Sequence, residues 1–214
     1  MPRSWRTTQS ALKQIAEETA TAGIWVTPNL VSLDNIKRHN TDEFYTLIQR
    51  PELRYLRPAI RDHWINHNRY RQFPNAMMPM QFGIWQSWTQ LTSRLTRELH
   101  MAKVPLLAGS DATGPDGLLP GSSLQDELSL LVQAGLSPYE ALRTATVNAA
   151  IYLKGEQEFG KIAAGFRADL VLLTDNPIDN IGNIKTRIGV MKHGHWFSSV
   201  ELDSALEKLA KERK

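Results

Sequence analysis

Apolar positions in the first thirty residues follow the spacing of a helix. The recurring apolar residues are Ala11, Leu12, Ile15, Ala16 and Ala20. This stripe predicts a helix over residues 8–22, and Gly23 stands where a glycine often ends a helix. Residues 24–27 then form a short β-rich run before Pro28, which is typical of a buried strand. A helix, a glycine turn and a strand in this order indicate an α/β fold with a parallel sheet.

A second helix and strand follow after an irregular stretch. An apolar stripe predicts a helix over residues 84–102, and residues 104–109 have the composition of a second buried strand. The stripe consists of Trp85, Trp88, Leu91, Leu95 and Leu99. Residues 31–82, which separate the two units, contain four prolines and many aromatic and arginine side chains. Short helices are expected there at 43–48 and 59–68. We interpret the whole stretch as an insertion on the C-terminal side of the first strand.

Two more helices are expected before residue 155. Residues 124–134 carry a helical apolar pattern that ends at Gly135. Ser137 and Glu140 have the spacing of a capping box, in which each side chain accepts the other residue's backbone N–H, so a helix should begin there. A kink or a new helix start is predicted at residues 146–148.

The pattern changes to short strands after residue 155. Residues 160–162 and 168–173 are expected to form a hairpin or adjacent strands. Residues 188–191 and 196–197 flank a tight hairpin turn at Lys192, His193, Gly194 and His195.

The chain is therefore divided into three parts. Residues 1–155 form the α/β part with the insertion at 31–82, and residues 156–200 form a small β module. Residues 201–214 form a charged amphipathic helix.

Composition excludes several classes of protein. The 214-residue chain has no cysteine, which excludes disulfides and zinc–thiolate sites, and its net charge of +3 does not imply a polyanionic partner. No apolar run approaches the ~20 residues that span a bilayer, so no membrane partner is expected. No secretory signal is present, which favours the cytoplasm by default. A signal could have preceded this sequence, because its N-terminus is expected to be missing, so the compartment of the whole protein stays undetermined.

Asp111 is the sharpest candidate for chemistry. It lies just past the end of the second buried strand, and in parallel α/β folds this edge carries ligands and catalytic residues. A carboxylate there can bind a metal ion or accept a proton. The alternative is that Asp111 only caps a turn or the start of a helix.

Several segments together resemble one family. They are residues 27–30, 104–112, 126–150 and 160–172. In this order and spacing they are similar to the amidohydrolase superfamily, and in particular to its imidazolonepropionase-like and prolidase-like branch. The resemblance implies the last strands and helices of a (β/α)8 TIM-type barrel, followed by C-terminal strands of a small β-sandwich.

The same resemblance implies a function. In this family a divalent metal, here zinc, activates water that attacks an amide, lactam or similar C–N bond of a small molecule. Asp111 matches the family's carboxylate that binds the metal and accepts the proton of the bound water. The family's other ligands are a His-x-His pair, a mid-barrel lysine and two single histidines, all upstream of the segments present here. The sequence is thus expected to be a C-terminal fragment without a complete active site or a retained metal.

Two histidine pairs are weaker metal candidates. His193 and His195 have the His-x-His spelling, but they lie at a predicted hairpin turn and are interpreted as exposed. His63 and His67 are four residues apart, but Trp64 stands where a zincin motif needs glutamate. They are interpreted as surface or lid histidines.

Two other functions remain open. A truncated or split-gene product would be non-catalytic and would bind a partner, either the missing barrel half or a second copy, because a partial barrel leaves strand edges uncovered. An arginine-aromatic stretch over residues 54–73 could instead bind nucleic acid, although a solvated helical face is the favoured interpretation. Its members are Arg54, Tyr55, Arg57, Arg61, Trp64, Arg69, Tyr70, Arg71 and Phe73.

Overall fold

A computed structural model describes residues 8–72, 74, 77–112 and 116–213, which fold into an α/β structure. The helices are α1 (Gln9–Thr21), α2 (Leu30–His39), α3 (Glu43–Leu47), α4 (Pro58–Asn66), α5 (Met78–Met101), α6 (Ser122–Gln133), α7 (Pro138–Ala145), α8 (Val147–Tyr152) and α9 (Ser199–Glu212). The strands are β1 (Leu170–Leu173), β2 (Arg187–Lys192) and β3 (His195–Ser198). Short 3₁₀ turns cover Pro51–Tyr55, Arg69–Arg71 and Ile181–Lys185.

The first helix is confirmed with its ends. Thr8 caps α1 because its hydroxyl accepts the backbone N–H of Ala11, and Gly23 follows the helix with a left-handed φ of +66°. The second predicted helix is also found, but α5 begins six residues earlier than expected, at Met78. Its apolar stripe is buried only towards the C-terminal end, since Leu99 is 4% exposed and Trp88 is 43% exposed.

The two predicted buried strands meet in parallel at one point. Val26 and Leu106 form an isolated parallel bridge. The N–H of Val26 donates to the carbonyl of Pro105 at 3.1 Å, and the N–H of Leu107 donates to the carbonyl of Val26 at 2.9 Å. No longer parallel ladder is present in the described part of the chain, so the partial barrel stays a prediction.

The main apolar core lies around this bridge. Helices α1, α2, α5, α6 and α7 contribute side chains to it, and α2 packs against α5 and α6. The buried members are Ala16, Leu30, Leu99, Val104, Leu106, Leu128, Leu131, Ala134, Leu136, Ala141 and Ile181. Helix α2 was not predicted from the sequence. Part of the supposed insertion therefore belongs to the packed body of the protein, with Val31 and Ile36 also buried.

The small β module is an antiparallel sheet in the order β1–β2–β3. The predicted hairpin is confirmed, because Lys192 pairs with His195 across a turn in which His193 and Gly194 both have positive φ, of 51° and 78°.

The expected pairing of residues 160–162 with 168–173 is wrong. Strand β1 pairs with β2 instead, and Gly160 packs against the start of α8, where a Cβ would lie 2.6 Å from the Cβ of Ala150. The N–H of Arg167 donates to the carbonyl of Glu158 at 2.7 Å, which fixes the connection in an irregular form.

The C-terminal helix begins at Ser199 with a capping box formed by Ser198 and Glu201. It packs on β2 and β3, and Glu207 forms an ion pair with Arg54 at 2.5 Å. Over the described residues, no helix has both the length and the hydropathy that crossing a membrane requires.

Candidate functional site

The ends of the two bridged strands approach each other closely. Gly109 follows the second strand, and a Cβ there would lie 2.4 Å from Cγ2 of Thr27 and 2.6 Å from Oδ1 of Asn29. Only glycine fits such a contact. Asn29 itself has a left-handed φ of 51°, and its Oδ1 is buried without a hydrogen-bond partner among the described residues. The segments after both strands therefore lie at one edge.

Asp111 lies at this edge, two residues after Gly109. Its side chain is exposed, and its backbone has a left-handed φ of 53°. The two strands that lead to this edge form a parallel bridge. The exposed Asp111 side chain lies outside the apolar core, and no hydrogen bond joins its carboxylate to another residue in the described ranges. The arrangement leaves the carboxylate accessible to a ligand, a metal ion or a water molecule.

A complete metal centre is not present in the described part of the chain. No group of three or more histidine, aspartate or glutamate side chains lies close enough together there to hold a metal ion. Asp111 alone does not fit a catalytic zinc site, which usually needs about three protein ligands.

The two histidine pairs lie at the surface, as predicted. The rings of His63 and His67 stack with their centroids 6.3 Å apart, and their side chains are 58% and 66% exposed. His63 Nε2 is 3.9 Å from a carboxylate oxygen of Asp116. His193 lies in the exposed hairpin turn, and His195 follows it and packs on Phe197.

A buried polar cluster connects α2 to the chain after Asp111, and it was missed from the sequence. His39 is 1% exposed, and its Nε2 lies 2.9 Å from the carbonyl oxygen of Asp116. Its Nδ1 lies 2.5 Å from the side-chain amide of Asn68. Burial lowers the pKa of His39 to about 4, so the ring is neutral near pH 7. The i, i+4 pair Asn35 and His39 on one helix face was the only local signal for this cluster.

A second missed residue, Glu127, holds the start of α2. Its side chain is fully buried, and Oε2 accepts the N–H of Val31 at 2.7 Å. Asn29, the residue at the N-cap of α2, makes no such bond with its own side chain. Burial raises the pKa of Glu127 to about 7, although bonds from the N–H groups of Val31 and Leu30 oppose this rise. A glutamate four residues before the buried Leu131 was a sequence signal for an inward carboxylate.

Three arginines of the arginine-aromatic stretch lie over aromatic rings, two of them over tyrosines of the same stretch. The guanidinium of Arg54 lies 5.0 Å from the ring centre of Tyr55, and that of Arg69 lies 4.9 Å from the ring of Tyr70. Arg71 lies 4.2 Å from the ring of Phe44. Aromatic faces used in this way are less available for stacking on bases, which counts against the nucleic-acid interpretation. Phe73 lies outside the described residues.

Comparisons with known proteins give the family. A family model described as the amidohydrolase family matches residues 3–197, which is most of the chain. Adenine deaminase 2 from Agrobacterium fabrum is 50% identical over 76 residues, covering 36% of this chain and 12% of that protein. Imidazolonepropionase from Rubrobacter xylanophilus is 42% identical over 77 residues, covering 34% of this chain and 19% of that protein. The matches thus span less than a fifth of these relatives.

Solved structures show the same fold over larger regions. A bottromycin amidohydrolase aligns with a TM-score of 0.71 and 24% identity, covering 100% of this chain and 45% of that one. A Xaa-Pro dipeptidase with bound methionine aligns with a TM-score of 0.57 and 19% identity, covering 92% of this chain and 39% of that one. The resemblance inferred from the sequence is confirmed: this chain belongs to the amidohydrolase family.

Proposed function

We propose that this chain contributes to the metal-dependent hydrolysis of a C–N bond in a small molecule, with Asp111 as a metal ligand and proton acceptor. The observation that carries the proposal is the exposed Asp111 carboxylate at the shared edge of two parallel strands. Membership of the amidohydrolase family supports it. The names of the relatives, an adenine deaminase and an imidazolonepropionase, favour a C–N bond in an amidine-like or lactam group.

Asp111 has a defined part in this proposal. Its carboxylate accepts a proton from the attacking water and passes it to the leaving nitrogen. A bound divalent metal, with zinc proposed, would lower the pKa of that water. The described residues do not supply the remaining ligands, so we propose that they come from outside the described ranges or from another polypeptide. Residues 31–82 and 112–122 are proposed to shape the substrate pocket, and residues 73, 75–76 and 113–115 of these ranges lie outside the described part of the chain.

The proposed architecture has three parts. Residues 1–155 are the C-terminal part of a (β/α)8 barrel, residues 156–200 are strands of a β-sandwich, and residues 201–214 are the final helix. The parallel bridge between Val26 and Leu106 supports the first part, and the antiparallel sheet supports the second. The solved structures that match are more than twice as long as the aligned region.

An assay can test the role of Asp111. The chain is expressed together with the polypeptide encoded directly upstream and is supplied with zinc and a panel of dipeptides, lactams and aminopurines. We expect turnover that Asp111→Asn lowers by roughly three orders of magnitude, because proton transfer by a positioned group contributes about 10²–10⁴-fold. Glu17→Gln, an exposed change on α1, is the matched control and should leave turnover unchanged. The isolated chain should be inactive. Turnover that is insensitive to Asp111→Asn would refute the role.

A partner-binding function is the second candidate, and one observation favours it. No backbone hydrogen bond of Trp25 or Thr27 is found among the described residues, so one edge of the first strand is open for pairing. Ile24 and Tyr152, both next to Trp25, are 53% and 54% exposed. We expect light scattering to show a dimer or larger species of the isolated chain. A stable monomer at high concentration would count against this candidate.

A further inference from the structure

We propose that His39 and Asn35 are positioning residues of the candidate site, which hold the segment at Asp116 and Gly117 against α2. This inference rests on the proposed function of Asp111, because the segment follows Asp111 by five residues. Both side chains come from α2, in a stretch that was interpreted from the sequence as an insertion. Neither is placed to touch a substrate.

The contacts converge on one carbonyl group. The backbone oxygen of Asp116 accepts hydrogen bonds from the side-chain amide of Asn35 and from Nε2 of His39, the latter at 2.9 Å. Asn35 and His39 are 4% and 1% exposed, so these bonds are shielded from water. A buried carbonyl that loses its donors is left without hydrogen bonds, and the local backbone would have to move to regain them.

The next residue is fitted to the same two side chains. Gly117 has a φ of +88°, and a Cβ there would lie 3.2 Å from Nε2 of His39 and 3.1 Å from Oδ1 of Asn35. A Cβ at these distances would be crowded, so the glycine lets the backbone pass close to α2. Hydrogen bonds and close packing therefore fix this segment at one place on the helix.

The imidazole ring of His39 has different neighbours at its two nitrogens. Nε2 lies 2.9 Å from the carbonyl oxygen of Asp116 and 3.2 Å from the amide nitrogen of Asn35, and Nδ1 faces Asn68. The amide nitrogen of Asn68 donates to Nδ1, so the proton of the neutral ring lies on Nε2 and points to Asp116. Asn68 also accepts the N–H of Tyr70 through Oδ1, and Arg71 donates to the backbone carbonyl of His39 at 2.8 Å. The ring therefore connects the Asn68–Arg71 turn to the segment after Asp111.

Hydrogen exchange on the full chain tests this positioning role. His39→Phe keeps a planar ring but removes both hydrogen bonds. We expect at least tenfold faster exchange of the Gly117, Leu118 and Leu119 amides, with no change in α1 or α9. His39→Gln, which can still donate to the carbonyl of Asp116, should recover part of the protection. His67→Phe is the matched control, because that ring is exposed and makes no contact with this segment.

Two further measurements keep the inference falsifiable. If His39→Phe fails to fold, Asn35→Ala provides a second test. It removes the other donor to the Asp116 carbonyl, and we expect the same amides to exchange about threefold faster. At pH 5, where an imidazole of ordinary pKa 6.5 is mostly protonated, nitrogen NMR of the histidines should show a neutral ring protonated at Nε2, because burial lowers the pKa of His39 to about 4. This signal should vanish in His39→Gln. Unchanged exchange at 117–119, or an equal change throughout the molecule, would overturn the inference. Exchange requires no turnover, so this result is independent of the hydrolysis assay.

Discussion

Replacing Glu127 by glutamine should remove a pH-dependent loss of stability. The carboxyl of Glu127 is fully buried and accepts the N–H of Val31 at 2.7 Å. Burial raises its pKa from 4.5 to about 7 in the folded protein. Below pH 4.5 the group is protonated in both the folded and the unfolded chain. Between pH 4.5 and about 7 the unfolded chain releases this proton while the folded chain keeps it, so the free energy of unfolding falls as the pH rises.

The size of this effect follows from the two pKa values. One pKa unit corresponds to about 1.36 kcal/mol, so a rise from 4.5 to about 7 lowers the stability by roughly 3 kcal/mol over that range. No discount for solvent screening applies, since the side chain is 0% exposed. Glutamine keeps a carbonyl oxygen for the N–H of Val31 and cannot ionise. From pH 4 to pH 8, the free energy of unfolding of Glu127→Gln should therefore rise by about 3 kcal/mol relative to that of the wild type.

Urea denaturation followed by circular dichroism at pH 4.5, 6 and 8 measures this difference. Other titrating groups are common to both proteins and cancel in the comparison. Glu17→Gln removes an exposed carboxylate of α1, with a side chain 60% exposed, and its stability curve should stay parallel to that of the wild type. Parallel curves for Glu127→Gln, within about 0.5 kcal/mol over the whole range, would show that the Glu127 carboxyl is not held in the state inferred.

Two other substitutions test local packing and capping. Gly109→Ala should destabilise the fold by about 1–3 kcal/mol in urea denaturation, because its Cβ would lie 2.4 Å from Thr27. Gly83→Ala in α5 is its control and should be neutral or stabilising, since a Cβ there meets nothing within 4 Å. Ser198→Ala should lower the free energy of unfolding by about 1 kcal/mol in thermal denaturation, because α9 loses its N-cap. Ser204→Ala within the same helix should leave the free energy of unfolding unchanged. Equal effects within either pair would contradict the reasoning.

Features encoded by neighbouring residues were predictable from the sequence. The capping box at Ser137 and Glu140 is present, and α7 begins directly after it. The hairpin turn at His193 and Gly194 and the break between α7 and α8 at Thr146 are also confirmed. In each case the partners lie within a few residues, so their spacing alone fixes the local geometry.

Features that join distant residues were not predictable in the same way. Glu127 and Val31 are 96 positions apart, and His39 and Asp116 are 77 apart. Such contacts depend on tertiary packing, and neither an isolated buried glutamate nor a lone histidine on a helix announces its partner. The position of Asp111 at a strand end was accessible from the sequence because the preceding apolar run marks the strand. Its role as a metal ligand and proton acceptor stays a prediction.

Each end of helix α2 is held by a titratable group whose charged form is disfavoured by burial. The contributions of these two groups to the free energy of unfolding change with pH in opposite directions. Glu127 binds the first turn, and His39 is the last residue of the helix. The pKa of His39 falls from 6.5 to about 4, so its contribution is full above pH 6.5 and is lost as the pH falls towards 4. The contribution of Glu127 is full below pH 4.5 and is lost as the pH rises towards 7.

Between about pH 4.5 and 6.5 the two slopes should cancel, since each amounts to about 1.36 kcal/mol per pH unit. The variant that carries both Glu127→Gln and His39→Phe is the reference. Relative to it, the free energy of unfolding of the wild type should not change with pH in this range. That of Glu127→Gln should rise with pH, and that of His39→Phe should fall. The two sites lie at opposite ends of a ten-residue helix, about 13 Å apart along its axis, so their effects should add. Slopes of the same sign in the two single variants would refute the assignment of a neutral histidine and a neutral glutamic acid to the ends of α2.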